Sequence, residues 1–209
     1  MQGSVEAMGD LMNQMRSSVA TKVAASVLLT VGIVATGTVT APAQATTIVS
    51  GCLTFEVTDT DATVTDGTGC TGAVVIPGTV STKPVTTVNA YSFRYAAITS
   101  VTIPSSVFAI GQRAFSDCAS LTKATFGRTG STLEVIPDFL FQNDPLTSLT
   151  LPNTIKSIGR SAFGATKLQG IALPSSLETI QDYAFADNPD FGFVAFPDGL
   201  QSIGDGAFM

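Results

Sequence analysis

The chain has 209 residues, 44% hydrophobic and only 12% charged, with a formal net charge of −6 and neither His nor Trp. Without His there is no Ser-His-Asp or Cys-His nucleophile, no His-ligated zinc and no imidazole acid–base chemistry. Ten Lys+Arg against sixteen Asp+Glu argue against a nucleic-acid partner, which needs clustered positive charge.

The first element is an export signal. Between Val19 and Thr40 the only charge is Lys22, and Val23 to Ala35 is an apolar run. Arg16 and Lys22 precede it, and Ala43-Gln44-Ala45 follows as a small-x-small cleavage site. These are the three parts of a secretory signal peptide. We expect residues 1–45 to be removed on export, the remainder to insert in no membrane, and the product to be secreted or held at the cell surface. Glu6 and Asp10 suit such a signal poorly, so translation from Met15 is an alternative start. A retained anchor would need about 20 apolar residues, and Gly32, Gly37 and Pro42 interrupt this run. Val49-Ser50-Gly51-Cys52 reads as a degenerate lipobox, set about a dozen residues past the apolar run, where lipid would attach to Cys52.

The exported part holds all three cysteines, in an oxidising setting. Cys52 and Cys70 flank Leu53-Thr-Phe-Glu-Val57 and Ala62-Thr-Val64, with Asp66-Gly67 after them. Two short strands joined by turns would bring the sulfurs together as a disulfide. Cys118 is then left over and reads as a small buried hydrophobe.

From residue 90 onward one pattern repeats. Phe93 and Phe115 are 22 residues apart, Phe141 follows 26 later, Phe163 and Phe185 at steps of 22, and Phe208 at 23. Each Phe is followed by an apolar residue (Ile98, Leu121, Leu146, Leu168, Phe191) and then an alternating pair: Val101/Ile103, Ala124/Phe126, Leu149/Leu151, Ile171/Leu173, Val194/Phe196. Pro stands next at 104, 152, 174 and 197, and Val107/Ile110, Leu133/Ile136, Ile155/Ile158, Leu177/Ile180 and Leu200/Ile203 close the turn. Alternation predicts a short strand, Pro ends it, and Phe fills the largest core slot. One such coil buries little alone, so stacked coils must share a core. We expect a β-dominated solenoid of about five coils of 22–26 residues, with the extra residues Arg128-Thr-Gly-Ser131 looping outward.

These motifs resemble a family. Phe115-Ser-Asp-Cys118-Ala-Ser-Leu121, Leu146-Thr-Ser-Leu-Thr-Leu-Pro152 and Ser157-Ile-Gly-Arg-Ser-Ala-Phe163 look like the BspA-type leucine-rich repeat of bacterial surface proteins, which also occurs in some parasitic protists. The resemblance covers roughly residues 53–209. It implies a leucine-rich-repeat solenoid of the α/β horseshoe class, with an N-terminal β cap and opening coil over 46–89 and repeats over 90–209. It also implies an exported or surface-displayed protein, linked in several members to adhesion, with no shared catalytic residues. The chain stops at the opening of a further coil with no polar cap in view, so we expect a fragment or truncated frame whose exposed last coil is open to end-to-end association.

The expected work is noncatalytic adhesion or recognition of a protein or surface glycan, with a passive spacer within a larger surface protein as the alternative. Outward strand positions, from Ser100/Thr102 to Phe193/Ala195, are small and uncharged apart from Lys123 and Phe193. Arg94 and Tyr95, beside the first coil, are of the types that anchor interfaces, or they merely cover the coil edge. The candidate binding face is therefore Arg94, Tyr95, Lys123 and Phe193. No enzyme activity, cofactor or metal is expected. Asp187-Asn-Pro-Asp190 is the densest acidic cluster, but Asn143-Asp-Pro145 echoes it in another coil, which marks a turn. Asp59, Asp61 and Asp66 lack the spacing and terminal Glu of a calcium loop.

Overall fold

The computed structural model describes residues 45–209, so the export signal read at 1–45 lies outside them but for its last residue. Fourteen strands follow in order: β1 (Thr46–Ser50), β2 (Leu53–Val57), β3 (Ala62–Asp66), β4 (Thr71–Val75), β5 (Thr79–Val80), β6 (Lys83–Val88), β7 (Ala97–Ile103), β8 (Ala109–Ile110), β9 (Lys123–Phe126), β10 (Val135–Ile136), β11 (Ser148–Thr150), β12 (Ser157–Ile158), β13 (Thr179–Ile180) and β14 (Ser202–Ile203). No helix occurs among the described residues. The repeat is therefore strand and turn throughout, and the strand-plus-helix coil of an α/β horseshoe does not apply.

A complete coil has three parts. A front strand enters the parallel sheet β4-β7-β9-β11, and a short rear strand enters the parallel sheet β10-β12-β13-β14. A turn then carries the Phe. Inward residues of both strands are buried, among them Ile98, Val101, Ile103, Ile136, Ile158 and Ile180, as are Leu121 and Leu146 just before β9 and β11. Between them the phenylalanines stack face to face: Phe93, Phe115, Phe141, Phe163, Phe185 and Phe208, with centroids 4.8, 5.4, 5.9, 5.2 and 5.1 Å apart. The ladder has six members, the same phenylalanines whose spacing marks the repeat, so the solenoid has about six turns where about five coils were expected. It starts against Gly67, where a Cβ would lie 2.2 Å from the Phe93 ring. Gly67 also donates its N–H to the Ser92 carbonyl, as Phe93 does to Ala114 and Phe115 to Leu140. The opening coil thus has the Phe turn but keeps its slot empty for the next ring.

The N-terminal segment is continuous with the solenoid. β1, β2 and β3 form an antiparallel meander, then β3 pairs in parallel with β6 and β6 with β8, while β4 pairs with β7 in front. Cys52 and Cys70 are joined as a disulfide, with Cα atoms 5.0 Å apart. That bond occupies the thiol a lipid at Cys52 would require.

The front sheet ends early. Ile171–Leu173 and Val194–Phe196, expected as strands, form none. Gly170 and Gly192 precede them, and Gly both weakens strands and leaves no side chain to pack across to a neighbour. Ile171, Leu173 and Phe191 pack only partly buried against the core.

Candidate functional site

The Phe turn is built from two left-handed residues per coil. Two positions before each Phe stand Tyr91, Arg113, Phe139, Ser161 and Tyr183 (φ 63, 56, 59, 47 and 57°), with Gly206 in the same place at 61°. Two positions after stand Tyr95, Asp117, Asn143, Ala165 and Asp187 (φ 64, 62, 64, 54 and 57°). Such φ values are uncommon for side chains with a Cβ. They recur because the turn directs its N–H groups to the next coil: Tyr91 to Gln112, Phe93 to Ala114, Tyr95 to Ser116, and so on to Asp187 and Met209. The turn aims the Phe inward and the flanking residues outward, which lines those side chains up along one edge of the solenoid.

In the first three coils this edge is aromatic and cationic. The Arg94 guanidinium lies 4.5 Å from the Tyr95 ring centroid and 5.8 Å from that of Tyr91. Its Nε donates to Asp117 Oδ2 at 3.0 Å, while Asn143 Nδ2 donates to Asp117 Oδ1 at 2.8 Å. Burial by itself would raise the Asp117 carboxyl, but hydrogen bonds from Asn143, Arg94 and Ser116 outweigh it and hold it below the usual range. Arg113 sits 4.0 Å over the Phe139 ring and donates to Gln142 at 3.1 Å. Tyr91 and Tyr95 are 42% and 68% exposed. The result is a set of fixed aromatic and guanidinium faces that can stack on a ligand and donate hydrogen bonds to it.

Of the candidate residues, only Arg94 and Tyr95 are placed together. Lys123 begins β9 on the front sheet, exposed, with Ala124 turned inward. Phe193 lies outside any strand and is 91% exposed, separated from Arg94 by several coils. The turn residues Tyr91, Arg113, Phe139 and Asp117 were not singled out in the sequence. The signal that could have found them was their fixed offset of two from the repeating Phe.

The Asp187-Asn-Pro-Asp190 turn is fastened by its amide. Asn188 is buried and its Nδ2 donates to the carbonyls of Phe163, Phe185 and Ala186 at 2.8, 2.8 and 3.1 Å. It heads a column three residues after each Phe: Ala96, Cys118, Asp144, Thr166 and Asn188, all buried. Cys118 Sγ donates to the Phe93 carbonyl at 3.0 Å, and burial pushes its thiol up to about 12, so it sits as a protonated core group. Among the described residues no three His, Cys, Asp or Glu side chains group as metal ligands.

Comparison with known proteins agrees with this architecture. The chain is similar to a leucine-rich repeat protein from Bacteroides ovatus, with 26% identity and a TM-score of 0.66 over 77% of this chain and 44% of that one. It thus spans less than half the length of that relative. A leucine-rich repeat protein of T. pallidum is 25% identical with a TM-score of 0.57, covering 73% of this chain and 83% of that one. The pneumococcal vaccine antigen PcpA shares the fold at 24% identity and a TM-score of 0.55, over 75% of this chain and 51% of that one. No curated protein sequence is significantly similar to the chain. Residues 86–209 match the BspA type leucine rich repeat region in six copies, the number of rings in the Phe ladder. The chain belongs to the BspA-type leucine-rich repeat family, a family of bacterial surface proteins.

Proposed function

We propose that the chain is a noncatalytic recognition module, exported to the cell surface or the medium, that presents the Arg94–Tyr95 edge to a protein or surface glycan. The observation that carries this reading is the Arg94 guanidinium, stacked on Tyr95 and held at 3.0 Å by Asp117. Arg and Tyr are the residue types that most often anchor interfaces. A guanidinium already fixed loses less freedom on binding than a mobile one. The edge continues over the next coil with Arg113 on the Phe139 ring, which lengthens the surface offered to a ligand. A spacer role is favoured by the front face alone, where Thr102, Thr125, Ser148 and Thr150 present only small uncharged groups.

The test is binding of the purified chain to a printed array of defined glycans and, in parallel, to a displayed peptide library. Saturable binding to one class, weakened about tenfold or more when Arg94 and Tyr95 are both changed to Ala, supports recognition through this edge. Absence of binding to both, or binding indifferent to the double substitution, refutes it.

A further inference from the structure

The rear ladder of the solenoid has one gap. β8 is bonded to β6, and β10, β12, β13 and β14 are bonded in turn, yet no backbone hydrogen bond joins β8 to β10. Elsewhere two positions per coil close the rung: Gly111 to Val88, Gly159 to Ile136, Gln181 to Ile158 and Gly204 to Ile180 at one, and Phe108 to Thr86, Lys156 to Glu134, Glu178 to Lys156 and Gln201 to Glu178 at the other. Pro137 stands at the first of these positions between β8 and β10 and has no N–H to give, and at the second the Glu134 N–H does not reach the Phe108 carbonyl. The Phe108 and Ile110 carbonyls on one wall, and the Glu134 and Val135 N–H groups on the other, are left without backbone partners.

The surface over the gap changes with it. The position of Phe108 holds Glu134, Lys156, Glu178 and Gln201 in the later coils, and that of Val135 holds Ser157, Thr179 and Ser202. At the gap both outward columns turn apolar, with Phe108 53% and Val135 52% exposed. With Thr132 and Glu134 they line an open cleft of about 520 Å³.

The rest of the two coils limits what can enter. In front, Ser100–Ile103 remain paired with Lys123–Phe126, and inside, the Phe115 and Phe141 rings stack 5.4 Å apart. An inserted strand would need about 4.8 Å on each side, which these contacts forbid. A hydroxyl is far smaller, and because it both donates and accepts it can satisfy either wall. A pyranose adds an apolar C–H face to lie against an aromatic ring, the usual mix of apolar lining and few polar anchors in a small-molecule site. At the rim the Glu134 carboxylate is paired with the Lys156 ammonium at 2.8 Å, and the net charge of −6 opposes an acidic sugar. We propose that this cleft binds a neutral saccharide, with its ring on Phe108 and its hydroxyls on the open rung. The site is distinct from the Arg94–Tyr95 edge, and its success or failure is independent of that reading.

The experiment is a titration of the purified, nitrogen-labelled chain with neutral methyl pyranosides, followed at the Glu134 and Val135 amides. Saturable shifts in about the millimolar range are expected, weakened about tenfold by Phe108→Ala. That side chain is half exposed, so its truncation leaves the core intact. Pro137→Gly supplies one of the missing N–H groups, occupies the Ile110 carbonyl and weakens the response, whereas Arg94→Ala leaves it unchanged. The inference is overturned by amides that never shift, by a response that neither Phe108→Ala nor Pro137→Gly weakens, or by capture of an extended peptide at the gap with no response to sugar.

Discussion

Asp144 accepts the backbone N–H of Cys118, one coil away, at 2.7 Å through Oδ1, while its Oδ2 is buried without a hydrogen-bond partner. At the same place in a later coil, Asn188 uses its amide nitrogen to bond three carbonyls. Asp144 can make such a donation only when protonated. Burial pushes its carboxyl up to about 9, and the nearby Asp117 charge adds to the effect.

A pH dependence of stability follows. The folded state holds the Asp144 proton more tightly than the unfolded chain, whose carboxyl titrates near the ordinary value of 3.8. The stabilisation is fully present below that value, declines as pH rises, and is gone above about 9. Asp144→Asn should flatten this decline and raise stability at neutral pH, because an amide donates without a proton to lose. Urea midpoints of both proteins between about pH 5 and about pH 9 check it. Identical slopes in the two would show that Asp144 is not the group responsible.

Phe163 lies in the middle of the ring ladder, stacked at 5.9 Å on Phe141 and 5.2 Å on Phe185, and fully buried. Phe163→Ala should destabilise by about 3–5 kcal/mol, read from equilibrium unfolding. Both neighbours lose a face, and the bonds between coils limit collapse into the cavity. A loss below about 1 kcal/mol would mean that the ladder relaxes around the gap.

Ala165 is exposed and held at φ 54°, with its N–H donated to the Ala186 carbonyl at 2.8 Å. A residue with a Cβ in this region costs about 1–2 kcal/mol, against about 0.5–1 kcal/mol of extra chain entropy for Gly. Ala165→Gly should therefore raise stability by up to about 1 kcal/mol, measured as a shift in thermal midpoint. A lower midpoint would show that the Ala165 methyl contributes packing that outweighs the relief.

The core was legible because its signal is periodic. Phe141, Phe163 and Phe185 recur at one spacing, and only a stack of coils can bury all three in equivalent places. The Cys52–Cys70 bridge was legible from the short strands between the two residues. The edge at Arg94 was half legible: Arg94 and Tyr95 stood out by residue type, but the partner of Arg94, Asp117, comes from the next coil, 23 positions on. Front strands at Ile171 and Val194 were misread, because apolar alternation marks an inward face without showing that a neighbour completes the ladder.

The sequence by itself determined the repeat, the stacking direction and the residues that fill the core, since burial of a periodic apolar set leaves few alternatives. Only the tertiary structure decided what the surface carries. Stacking sets the Arg94 guanidinium against two tyrosines and an aspartate. It also turns the missing N–H of Pro137 into an open rung beneath Phe108. Both depend on which atoms of adjacent coils meet, and that pairing exists only once the coils are in register.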